Sequence, residues 1–65
     1  MQTRATSWLN IDTVTELYGI EIKHRDRGWI HAGDETGMFK FETTKERDQK
    51  RDELRKMQPE WAAKS

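Results

Sequence analysis

Between Thr43 and Met57 the only apolar side chains are Leu54 and Met57, and most of the remainder are charged. A helix of that composition has no core of its own, and isolated helices shorter than about 12–15 residues are marginal in water. It needs a surface to lie on. The stretch that can supply one is 8–41, where aromatic and β-branched residues recur in strand-like order. The two halves together predict an α+β fold: a small antiparallel three- or four-stranded β-meander packed against one C-terminal α-helix. The expected layout is a single domain, with a flexible N-terminus over 1–6, the meander over 8–41, the helix over 43–58 and a tail over 59–65.

The helix start is marked by Thr43-x-x-Glu46, a capping box in which the threonine hydroxyl accepts from the Glu46 amide and the glutamate reaches back. Pro59 marks its stop, because the residue before a proline is biased away from helical dihedrals. On a 3.6-residue wheel Arg47, Lys50, Leu54, Met57 and Trp61 share one stripe, which is the expected packing face. The stems of Arg47 and Lys50 would cover apolar sheet while their charges reach water.

Within the meander, Ile20 and Ile22 alternate with Glu21 and Lys23, the period of a half-buried strand. Asp26-Arg27-Gly28 then turns the chain into a returning strand, Trp29 to Ala32, with Gly28 suited to a positive φ. A second turn at Gly33–Gly37 leads to a last strand that puts Phe39 and Phe41 on one face. Trp8 to Ile11 reads as a further short strand, whereas Val14 to Leu17 fits either a strand or one helical turn.

The chain has 65 residues, enough for one thin-cored domain, and no cysteine to add a disulfide or a thiolate metal site. Packing must therefore carry stability, and three tryptophans are the expected main suppliers. Twelve basic and twelve acidic side chains cancel, so any attraction to nucleic acid or anionic lipid requires a local patch. No apolar run reaches the length of a membrane span, and Met1–Thr6 lacks the apolar core of an export signal, which makes the expected location cytoplasmic.

The residue types argue against an enzyme. There is no cysteine nucleophile, no glycine-rich phosphate loop and no histidine pair at helical spacing, so no catalytic residue and no cofactor is expected. The two histidines, His24 and His31, face each other across the hairpin only if its turn has two residues. A three-residue loop slips that register and separates them. No metal is expected there.

Two surfaces are candidates for a partner. Arg47, Arg51 and Arg55 recur every fourth residue, and like charges at that spacing disfavour a helix by a few tenths of a kcal/mol per pair. An anionic partner explains the arrangement, as does neutralisation by Asp48, Asp52 and Glu53 on adjacent rows. On the meander, Lys23, Arg25 and Lys40 turn away from a core made of Ile20, Ile22, Phe39 and Phe41, with Arg27 at the hairpin tip. Trp29 and His31 share one face, and Ile30 and Ala32 the other. If Ile30 is buried, Trp29 and His31 join the basic side chains in an aromatic and cationic contact surface of the kind that dominates binding hot spots.

A meander followed by a helix, with Gly28-Trp29 opening the middle strand, an Asp34/Gly37 turn and Phe41-Glu42-Thr43-Thr44-Lys45-Glu46 entering the helix, resembles two kinds of small DNA-binding domain. They are those of plant ethylene-response factors and the arm-binding N-termini of tyrosine recombinases. The resemblance covers roughly 20–57 and implies major-groove contacts by Arg25, Arg27, Trp29 and Lys40. Residues 1–42 depart from it in charge, with five basic and seven acidic side chains for a net of −2, where a DNA binder needs several well-placed cations.

The expected function is therefore that of a small non-enzymatic binding module acting on a protein partner, in the manner of an accessory or inhibitory protein of a phage or mobile element. A DNA-binding module using the outer sheet face is the alternative, and a second copy of the chain is a further partner the same residues allow. The expected partner-binding residues are Arg25, Arg27, Trp29, His31, Lys40, Arg47, Arg51 and Arg55.

Overall fold

The computed structural model describes residues 1–64; Ser65, the last residue of the expected tail, lies outside the described residues. Strands β1 (Thr3–Asn10), β2 (Thr15–His24) and β3 (Gly28–His31) form an antiparallel sheet in that order. The two-residue strands β4 (Gly33–Asp34) and β5 (Gly37–Met38) make a separate small ribbon, and helix α1 (Thr44–Arg55) follows. The α+β class is as the sequence predicts. Among the described residues no helix is long and apolar enough to cross a membrane.

β2 is the central strand, and two discontinuous stretches flank it on each side. Along one edge β1 pairs from Thr3↔Ile22 to Asn10↔Thr15 without interruption. Beyond the start of β1 the tail takes over: the Ala63 amide donates to the Lys23 carbonyl and the Arg25 amide to the Trp61 carbonyl, both at 2.9 Å. Along the other edge β3 is followed by Phe41, whose backbone exchanges hydrogen bonds of 2.8 and 2.9 Å with Tyr18. The Met38–Phe41 strand expected from sequence is thus split, because Met38 belongs to the ribbon and Phe41 returns alone to β2.

The N-terminus is the chief correction. Residues 1–6 are not a free end, since Thr3–Thr6 lie in β1 and the Met1 side chain is buried. The reason is the length of β2: its ten residues carry a row of backbone groups that needs a partner on each side. The Met1 ammonium also donates to the carbonyls of Arg55 (3.0 Å) and Met57, placing a positive charge where the helix dipole is negative. Residues 13–18 resolve into a turn through Val14, at φ 51°, and strand from Thr15.

The Arg25–Arg27 turn sets Gly28, at φ 76°, opposite His24. Thr43 caps α1 as the sequence predicts, its hydroxyl accepting from the Glu46 amide at 3.2 Å. The helix is shorter than 43–58, with the Met57 amide turning back onto the Leu54 carbonyl at 3.1 Å.

The core lies between helix and sheet and is small and aliphatic: Met1, Ile20, Ile22, Ala32, Leu54 and Ala62, with Ile30, Phe39 and Phe41 against it. Ile20 is 1% exposed, and burying such a side chain contributes about 1.5–3 kcal/mol. None of the tryptophans belongs to this cluster. Met57 and Trp61, expected on the packing stripe, are 52% and 38% exposed, and Trp61 instead stacks on the His24 ring at 5.7 Å. The helix is anchored through Leu54 and through polar contacts, because its inward stripe is otherwise made of long cations.

Candidate functional site

The sheet has one face on the helix and one face open. Residues directly opposite in an antiparallel pair share a face, so the pairing assigns every side chain. Ile30 lies opposite Ile22 on the core side, which sends Trp29 (opposite Lys23) and His31 (opposite Glu21) to the outer face. Arg4 is opposite Glu21 and Trp8 opposite Leu17, so both join them.

These side chains form a chain of contacts across the open face. The Trp8 ring lies over Gly19, where an added Cβ would stand 2.6 Å from it. Glycine in a strand interior is unfavourable by roughly 0.5–1 kcal/mol, and here it makes the seat for an indole. Trp8 meets His31 edge to face at 6.2 Å. Beside them Arg4 donates to Glu21 at 2.8 Å and also sits over the Trp29 ring, its guanidinium carbon 4.4 Å from the ring centre. The Lys23 ammonium stands 5.8 Å from the same ring. Two cations therefore stand against the Trp29 ring, contacts worth about 0.5–1 kcal/mol each at exposed sites.

The other sequence-derived candidates are placed differently. Arg25 is tied down locally, donating to the Glu60 carbonyl at 2.9 Å and to Asp26 at 3.4 Å. Arg27 is exposed at the hairpin, and neither it nor Lys23 has an ion-pair partner among the described residues. Lys40 is exposed between Phe39 and Phe41, which pack on the core.

The arginine stripe of the helix is largely used inside the molecule. Arg47 lies over the Tyr18 ring at 5.5 Å and pairs with Asp48. Arg51 donates to the hydroxyl and carbonyl oxygens of Thr3 at 3.0 and 3.3 Å. Only Arg55, paired with Asp52 at 3.5 Å, reaches outward with half its side chain exposed. The four-residue spacing thus has an internal explanation: two guanidiniums clamp the helix to the sheet.

The three-residue turn separates the histidines, His24 opposing Gly28 and His31 opposing Glu21. Among the described residues no group of three acidic or histidine side chains is placed to hold a metal, and no enclosed cavity is present. The site is an open surface. Comparison with protein-family models, curated proteins and solved structures finds no match. Its chemistry must be read from the geometry.

Arg4 and Trp8 are the members of this face that sequence reasoning left out. The signal was present in Arg4, Thr6 and Trp8, three alternating positions in a stretch containing two threonines, and in a glycine within an otherwise β-prone run, which marks close approach by another group.

Proposed function

We propose that this chain is a non-enzymatic binding module that takes a protein partner on the open face of its sheet, the partner offering acidic side chains around an apolar centre. The observation that carries this reading is that Arg4 and Lys23 both stand against the Trp29 ring, on the sheet face that, among the described residues, lies on the side opposite the helix. Tryptophan and arginine are the residues most enriched in binding hot spots. A ring whose orientation is set before contact loses little conformational freedom on binding.

Duplex DNA is the second reading, favoured by where the acidic side chains lie. Of the acids that make 1–42 net negative, Asp34 stands within electrostatic range of Lys50 on the helix, and Glu21 is covered by Arg4. The count of free cations weighs against it. Arg4 and Arg25 are paired, which leaves Lys23, Arg27 and Lys40, against the roughly 6–10 phosphate contacts of a strong DNA binder.

Quantitative affinity capture from native extract separates these readings, comparing the intact chain with Trp29→Ala, Lys23→Glu and, on the far side of the helix, Lys45→Glu. The expected result is a protein lost from both face variants and retained by Lys45→Glu. Identical capture by all four chains overturns the proposal. Capture that disappears on nuclease treatment, together with duplex affinity that falls steeply with salt, replaces the protein partner with DNA.

A further inference from the structure

We propose that β1 is a self-pairing edge, and that two copies of the chain join along it, antiparallel about a two-fold axis at Ser7, into one continuous six-stranded sheet. The phase of the hydrogen bonds sets the register. The Lys23 amide donates to the Gln2 carbonyl at 3.1 Å, so even-numbered residues of β1 direct their backbone groups at β2 and odd-numbered residues direct theirs outward. Thr3 is already engaged by Arg51. Among the described residues nothing bonds to the outward backbone of Ala5, Ser7 or Leu9. The free stretch is therefore Ala5–Leu9, and its midpoint is Ser7.

Exposed edges are normally blunted by lysine, proline or a bulge. This one has none of them: eight rungs run without interruption, and no lysine, arginine or proline occurs from Ala5 through Ile22. Pairing about Ser7 sets Leu9 against Ala5 of the second copy on the helix side and Trp8 against Thr6 of the second copy on the outer side. Leu9, 58% exposed in the single chain, gains a cross-strand neighbour.

Charge chooses the second copy and the antiparallel sense. Beyond Leu9 the hairpin end carries Asp12 and Glu16 and no cation, whereas the other end of β1 carries Arg4, ion-paired with Glu21, and Arg51 beside Thr3, a balance of one positive charge. Two-fold pairing lays the acidic end of each copy along the basic end of the other, twice over. Parallel pairing would oppose acid to acid. Lys23 and Trp29 lie on β2 and β3, away from this edge, whereas Arg4 and Trp8 of the open face lie on it.

Sedimentation of the full chain from micromolar to millimolar concentration tests this. The expected result is a concentration-dependent shift from 7.8 kDa to twice that mass, with self-association weakened at least tenfold by Leu9→Lys and by Ser7→Pro. Leu9 is largely exposed, so its variant keeps the fold and decides the matter if Ser7→Pro does not fold. Hydrogen-bonded antiparallel partners stand about 5.5 Å apart at Cα, within disulfide reach. Ser7→Cys, in a chain without other cysteines, therefore oxidises to a covalent dimer. A chain that stays monomeric throughout, a dimer indifferent to Leu9→Lys, or a dimeric Ser7→Cys that does not cross-link overturns the proposal.

Discussion

The two faces of the three-stranded sheet are drawn from alternate residues of the same strands and could hardly be more different. Toward the helix β2 presents Ile20 and Ile22, closed over by Leu54 and small residues. Toward solvent the sheet presents Trp8, Trp29 and His31 among Arg4, Glu21 and Lys23. Two of the three indoles, Trp8 and Trp29, lie on the open face, while the inside holds modest aliphatics with Phe39 and Phe41 against them. A thin domain separated from its helix by a single layer of side chains has room for isoleucine and alanine there, and indoles find space only where nothing lies above them. Tryptophan content in so short a chain is therefore a poor guide to its core.

Truncation sets the two faces directly against each other. Ile20→Ala removes the most buried large side chain and is expected to cost about 2–4 kcal/mol. That is most of what a domain this size possesses, so thermal melting should show a largely unfolded chain. Gly19→Ala attacks the open face from beneath, forcing the Trp8 ring off its seat. The expected cost is about 1 kcal/mol, with a clear change in tryptophan fluorescence; an unchanged spectrum would mean that the ring does not rest there.

Trp29→Ala should cost about 1 kcal/mol, the low end of what its two cation contacts together contribute. A loss of two or more in chemical denaturation would make the outer face part of the structural core and remove the contrast. The smallest effect belongs to the β4–β5 ribbon, outside both faces. There the Thr36 hydroxyl and then its amide donate to Asp34 and hold its carboxyl below the ordinary value. A carboxyl lowered on folding stabilises the native state above its unfolded pKa, and that contribution is lost as pH falls through the folded value. Thr36→Val should raise the Asp34 pKa toward that of a free aspartate in an NMR titration and leave the rest of the acid profile unchanged.

Much of this was legible in the sequence because local chemistry and tertiary packing agree. The Thr43 cap, the Gly28 turn and the alternation of Ile20 and Ile22 each have a one-residue cause, and the structure keeps all three. β1 was only partly legible. Thr3–Ser7 contains little that is apolar, and it becomes a strand because β2 needs a neighbour. The orientation of Trp29 was legible only as a condition on Ile30, since period-two alternation pairs residues by face without saying which face is covered. The inward use of Arg47 and Arg51 was half visible: the wheel placed Arg47 toward the sheet, but a bond from Arg51 to Thr3 requires knowing that Thr3 lies in the sheet.

The four stretches that flank β2 also determine how this molecule must assemble in time. His24 meets Ala62, 38 positions further along the chain, and Tyr18 meets Phe41 only after two turns have been laid down. Closing such loops costs entropy before any bond repays it, so the central strand cannot acquire its full set of partners until both ends have arrived. The amide protons of Arg25 and Ala63, bonded across that last closure, are thus the reporters of a single concerted event: their exchange with solvent should follow the opening of the whole domain and not the fraying of one end.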